Sequence, residues 1–254
     1  MTRRLVIFHT SDIHNRLTPD HVRFLTELKC SAPDSLMLDS GDAIWAGNIF
    51  WRPGGEPVLD LMNQVPYDAM CLGNREFHFT EAGLRSKLSR ARFPILSANL
   101  RRRRSEQERE GSPSDGGTRT HIVLERAGIR VGVIGLSVPC ITEQMAVRRI
   151  SDFFFTDPVE TASHVIPDLR KQCDIVVALT HIGLPRDRQL AESVPEIDII
   201  LGGHTHTVAD EKCGRRAVPV LHHGCHCRFV GRVDLSISAD GIEMTRSLIP
   251  FPGA

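Results

Sequence analysis

Residues 197–206 read IDIILGGHTH, and the change of character inside that stretch decides the fold. Ile197 to Leu201 is, apart from Asp198, a short run of apolar and β-branched side chains, the pattern of a strand buried on both faces. It stops at two glycines and delivers His204 and His206, two imidazoles separated by one residue. Core packing does not explain such a pair, and metal binding explains it better than a polar turn does. The same transition recurs along the chain. Leu5 to His9 is followed by Asp12 and His14, Ser35 to Leu38 by Asp42, Ala69 to Leu72 by Asn74, and Ile175 to Thr180 by His181. Ligands of open α/β sheets bind beyond the carboxyl ends of the strands, so five separate segments deliver oxygen and nitrogen donors to one edge. Two carboxylates, one amide and four imidazoles suit manganese, iron or zinc. Calcium would ask for oxygen alone, and structural zinc for thiolates.

Further strand candidates are Ile95 to Ala98, Ile122 to Glu125 and Arg130 to Leu136, and helix-like segments alternate with them, which predicts an α/β sandwich. The clearest helix is Val159 to Lys171, with Val159, Ala162, Ile166 and Leu169 at helical spacing and Asp157 and Pro158 as cap and first turn. Pro167 inside it predicts a kink or an early end. After Val218 the pattern turns to strands and turns without a clear helix. Residues 101–118, RRRRSEQEREGSPSDGGT, have almost no apolar content and read as a mobile surface loop.

The chain has 254 residues, which suits one large domain. Its 31 basic and 31 acidic residues cancel, so net charge argues for neither nucleic acid nor a membrane surface as partner. No stretch reaches the length of a membrane span, and the apolar run near the N-terminus is too short for a signal-peptide core. Seven scattered cysteines, several beside apolar runs, fit reduced buried thiols and a cytoplasmic location.

In isolation DIH, SGDAIWAG and GNREF each read as well as a cap or turn as they do a site. Together, the ordered pieces Asp12 with His14, Gly41 with Asp42, Gly73 through Glu76, His181, and His204 with His206 resemble the calcineurin-like metallophosphoesterase superfamily. The phrases HTSDIH, LDSGDAIWAG, GNREF, ILSANL, LTHIG and GGHTH look like the catalytic domain of its 5′-nucleotidase and cyclic-phosphodiesterase branch. The likeness runs from Val6 to about Ile237.

That resemblance implies a four-layer α/β/β/α sandwich with two mixed sheets and the metal site at the strand C-terminal ends. It implies one divalent transition-metal ion between Asp12, His14, Asp42 and His206, and a second between Asp42, Asn74, His181 and His204. Asp42 is then the bridging carboxylate, and a metal-bridging hydroxide attacks a phosphate ester in line. Asp39 and Glu76 become candidates to orient metal-bound imidazoles. Two departures bear on substrate. The C-terminal nucleotide-binding domain usual in 5′-nucleotidases is expected to be absent, and the family phrase GNHEFD is here GNREFH. Arg75 and His78 therefore stand where the family has its general acid and that acid's carboxylate partner. Arg75 is expected to bind the phosphoryl group and His78 to be the candidate general acid.

HHGCHC, from His222 to Cys227, looks like a soft-metal tract, but neighbours on a strand point to opposite faces. A structural or site-lining role is expected. His9, His21, His121 and His164 show no pattern and read as solvent-facing or supporting residues. A small phosphorylated substrate is the expected partner. The alternative is a nuclease or cyclic-nucleotide phosphodiesterase using Arg101 to Arg104, whose charge Glu106, Glu108 and Glu110 offset. A degenerate protein that binds metal or a phospho-ligand without turnover is the non-enzymatic alternative, raised by Arg75 and opposed by the intact ligand set.

Overall fold

The computed structural model of the chain describes residues 2–103, 116–238 and 241–253. Its strands are β1 (Arg3–Thr10), β2 (Leu36–Asp39), β3 (Ala69–Cys71), β4 (Ile95–Leu96), β5 (Leu100–Arg102), β6 (His121–Arg126), β7 (Ile129–Ser137), β8 (Phe153–Phe155), β9 (Ile175–His181), β10 (Ile199–Gly202), β11 (Val208–Cys213), β12 (Val218–His223), β13 (Phe229–Ser238) and β14 (Gly241–Pro250). The α-helices are α1 (Pro19–Ser31), α2 (Val58–Met62), α3 (Glu81–Leu88), α4 (Pro158–Arg170) and α5 (Leu184–Ser193).

Two six-stranded sheets form, in the orders β14-β13-β1-β2-β3-β4 and β11-β12-β10-β9-β7-β6. Both are mixed: β1 to β4 run parallel, as do β7, β9, β10 and β12, while β13, β14, β6 and β11 pair antiparallel at the flanks. Alternation along the central strands sorts side chains into layers. In β1, Leu5 and Ile7 enter the core between the sheets while Phe8 packs outward with Val22 and Leu25 of α1 and Leu59 of α2. In β9, Val177 and Leu179 meet that same inner core, while Val176 and Ala178 face Ile166 of α4 and Leu190 of α5. Three apolar layers separated by two sheets make the α/β/β/α sandwich, and burial on both faces explains why these strands read as unbroken apolar runs.

Two local expectations change. Pro167 does not end α4 early: the helix runs to Arg170, with the Asp157 Oδ1 accepting from the main-chain N–H of Val159 and Glu160 at its start. Pro167 and Ser163 both lie on the exposed face, so the carbonyl that loses its helical donor is solvated. The surface-loop reading of 101–118 fails at its ends. Arg101 and Arg102 belong to β5, paired with β8, and Gly116 and Thr118 are buried, Gly116 against Leu84 and Phe153. Residues 104–115 lie outside the described residues.

Candidate metal centre

Strands β1, β2 and β3 of one sheet and β9 and β10 of the other end at a shared seam, and the loops that leave them carry the donors. Asp12, His14, Asp42, His204 and His206 all adopt positive φ, between 47° and 80°. Non-glycine residues enter this region at a cost of about 1 to 3 kcal/mol each, and the cost concentrates at sites that demand one side-chain direction. The turns cross at van der Waals limits: a Cβ on Gly41 would lie 2.7 Å from the Gly73 nitrogen, and one on Gly73 2.3 Å from Asp42 Oδ1. Only glycine lets the SGD and GNRE turns touch there.

All seven expected donors are brought together. The donor atoms of Asp12, His14 and His206 lie within 4.8 Å of one another, as do those of Asp12, Asp42 and His181. His14 Nε2 is 2.9 Å from His206 Nε2, and His206 Nε2 is 3.3 Å from Asp12 Oδ1. His181 Nε2 is 3.2 Å from Asn74 Oδ1 and 3.3 Å from Asp42 Oδ1, and the His204 ring sits 5.1 Å from that of His181. Asp42 looks both ways, since its Oδ2 is 4.0 Å from His14 Nε2. The main-chain N–H of His204 donates to both Asp12 oxygens, at 3.2 and 3.1 Å.

Electrostatics test whether cations fit. Burial by itself raises the Asp42 carboxyl and lowers the His181 imidazole, yet their mutual attraction reverses both, Asp42 to about 2 and His181 to about 10. A buried position that draws positive charge this strongly, walled by two carboxylates and converging imidazoles, fits divalent transition-metal ions. The ring directions are set from behind. His181 Nδ1–H donates to Ser40 O at 2.8 Å, leaving Nε2 toward the donors, and the Ser40 hydroxyl meets His9 Nε2 at 2.5 Å.

Asp39 and Glu76 do not orient imidazoles as expected. Asp39 accepts from the Thr10 hydroxyl at 2.6 Å and the Gly41 N–H at 2.8 Å, and burial raises its carboxyl to about 8. Glu76 accepts from the N–H groups of Asp42, Gly73 and Ile44 at 2.9, 3.0 and 3.1 Å. Both are buried carboxyl groups that hold loop N–H groups, because turns packed this deeply leave donors that water cannot reach.

Arg75 sits at the rim. Its N–H donates to Asp42 Oδ1 at 2.7 Å, its Nε lies 3.9 Å from Asp42 Oδ2, and its Nη1 donates to Trp45 O at 3.1 Å. His78 does not join it. The His78 ring is buried against α3, its Nδ1 accepts from Thr80 N–H at 3.0 Å, and none of its contacts is with the donor set. The Thr80 hydroxyl lies 2.9 Å from the same nitrogen, and this placement lends the expected general-acid role no support. The HHGCHC tract divides as alternation requires. His222 Nε2–H donates to Asp187 Oδ2 at 2.8 Å on the helix side, whereas His223 packs 4.3 Å from the His9 ring between the sheets. His226 reaches the site, its ring 5.3 Å from His14 and 5.7 Å from His206. Sequence reasoning missed Trp45, Ser40 and Lys87 as site neighbours. Within the HHGCHC tract, expected to be structural or site-lining, His226 is the histidine that lies beside the site.

The family model of calcineurin-like phosphoesterases matches residues 5–208. The trifunctional nucleotide phosphoesterase YfkN of Bacillus subtilis is 30% identical over 276 residues, covering 95% of this chain and 18% of that protein. The 5′-nucleotidase of Rattus norvegicus is 30% identical over 228 residues, covering 80% and 38%. In fold, the 5′-nucleotidase precursor of Thermus thermophilus superposes with a TM-score of 0.79 at 24% identity, over 98% of this chain and 54% of that one. This chain spans about half or less of the length of the curated relatives it matches.

Proposed function

Because this chain belongs to the calcineurin-like phosphoesterase family, we propose that it hydrolyses phosphate esters of small molecules with two divalent metal ions. Asp12, His14, Asp42 and His206 would hold one, and Asp42, Asn74, His181 and His204 the other. The observation that carries this reading is Asp42, a buried carboxylate with one oxygen toward His181 and the other toward His14. Bound there, the ions supply Lewis acidity and an activated water. The chain's own residues do the rest. His14, His181, His204 and His206 must be neutral at a nitrogen to bind, and the Ser40 carbonyl fixes which nitrogen His181 offers. Arg75, permanently charged and anchored through its own N–H to Asp42, holds a phosphoryl oxygen at the rim.

Manganese is the proposed ion and the cytoplasm the proposed location, the latter supported by seven free cysteines. The nuclease alternative gains nothing from β5, where Arg102 is paired with Glu81 at 2.7 Å and Arg101 caps the carbonyls of Ala98 and Leu100. Metal analysis after manganese loading should give two ions per chain. Asp42→Asn should lose most of that binding, and at least about a thousandfold of the hydrolysis of a generic phosphomonoester, because the substitution weakens both ions at once. Trace occupancy in the wild type would end the dinuclear reading. Preference for single-stranded nucleic acid over monoesters would replace the substrate class.

A further inference from the structure

Trp45 is one of two tryptophans in the chain, and it leaves 58% of its surface in water three residues after Asp42. The exposure is imposed by its backbone. Ile44, immediately before it, is fully buried, and its N–H is held by the Glu76 carboxylate at 3.1 Å. The Trp45 carbonyl is held by Arg75 Nη1 at 3.1 Å, and the Gly47 carbonyl by the buried Lys87 ammonium at 2.8 Å. A segment pinned at three points projects its largest apolar ring outward, which simple loop packing would not require. Arg75 links that ring to the metal site, with its Cζ 5.8 Å from the indole centroid and its Nε 3.9 Å from Asp42 Oδ2. A phosphoryl group held by the Arg75 guanidinium therefore leaves its ester substituent within reach of the indole face.

We propose that Trp45, backed by Arg75, is a stacking platform for a planar ring carried by the substrate's leaving group, a nucleoside base being the simplest instance. The proposal rests on the phosphoesterase reading and adds selectivity to it. Indole offers a broad π-face, and a stacked base loses about tenfold or more in binding when such a platform is truncated. An aliphatic ester has no face to stack, so the platform discriminates by ring rather than by phosphate.

The test compares kcat/KM for adenosine 5′-monophosphate and glycerol 3-phosphate on the manganese-loaded enzyme. The wild type should favour the nucleotide. Trp45→Ala should lower the nucleotide-to-glycerol selectivity ratio at least tenfold, and Trp45→Phe should recover most of it. A binding readout runs beside it: in Trp51→Phe, where Trp45 is the sole indole, adenosine should quench the fluorescence saturably and glycerol should not. An unchanged ratio in Trp45→Ala, or no quench by adenosine, overturns the platform while leaving the phosphoesterase reading in place. Failure of the wild type to hydrolyse any ester removes that reading instead, and the quench still decides the platform.

Discussion

At Lys87 a single ammonium donates to three main-chain carbonyls, those of Gly47 at 2.8 Å, Arg75 at 2.7 Å and Phe77 at 2.8 Å. The side chain is completely buried, and burial lowers its pKa to about 8. One cation thus ties the segment bearing Trp45 to the turn bearing Asn74 and Arg75. Lys87→Met keeps the stem and deletes the donor, leaving three carbonyls without their partner at about 1 to 3 kcal/mol per buried unsatisfied group. Urea unfolding of Lys87→Met should show a loss of about 3 kcal/mol or more, and a loss under about 1 kcal/mol would mean that water replaces the ammonium. The donors themselves were legible because each follows directly on an apolar run, a position the chain order alone defines. Lys87 was not, because its partners lie 10, 12 and 40 residues away and only the folded turns bring them within reach. For His78, spacing from Arg75 suggested a shared face, and the fold adds a partner that spacing does not show, the N-terminus of α3 holding the ring at Thr80.

Among the elements, β1 and β12 bring two imidazoles against each other in the gap between the sheets. Burial first and the neighbouring His222 second push His223 down to about 3, and burial followed by His223 lowers His9 well below its ordinary value. Both are therefore neutral in the folded chain, while in the unfolded chain they titrate near about 6.5. Below that pH the unfolded state binds protons that the folded state excludes. Stability is full above about pH 6.5 and falls as pH drops toward about 3, by about 1.4 kcal/mol per pH unit for each imidazole. His223→Gln should flatten the slope by that amount in chelator-containing buffer, where the donor histidines contribute equally to both proteins. Equal slopes between about pH 6 and 5 would show that His223 accepts a proton without unfolding. The central strands were legible for the reason the pH effect exists, since dry faces demand apolar sequence. The short β5 and β8 were not, having only three residues each, nor was β11, whose alternating exposure hides it among polar residues.

For the whole molecule, the proposed ligands divide between the sheets: Asp12, His14, Asp42 and Asn74 follow strands of one, and His181, His204 and His206 end or follow strands of the other. A bound pair of ions would add a further cross-link between two layers already joined by apolar contacts and by hydrogen bonds such as that of His181 to the Ser40 carbonyl. Binding that favours the folded state stabilises it by about 2.7 kcal/mol when free metal is about a hundred times its dissociation constant. Thermal unfolding should therefore shift upward by several degrees on manganese addition and return on chelation, with Asp42→Asn insensitive to both. A wild-type midpoint unmoved by metal would show that the seam is closed without it. Strand and helix alternation made an α/β sandwich legible and the family resemblance its four layers, whereas the layer each strand joins was not legible, since β13 returns beside β1 through pairings such as Arg3 with Ile237.

The hydrogen bonds from the His204 N–H to the Asp12 carboxylate join residues 192 positions apart. On a ribosome adding about 5 to 20 residues per second, Asp12 waits about 10 to 40 seconds for that partner to be made. Until then the proposed donor set lacks His204 and His206, so it would be complete only once the residues that follow β10 have been made.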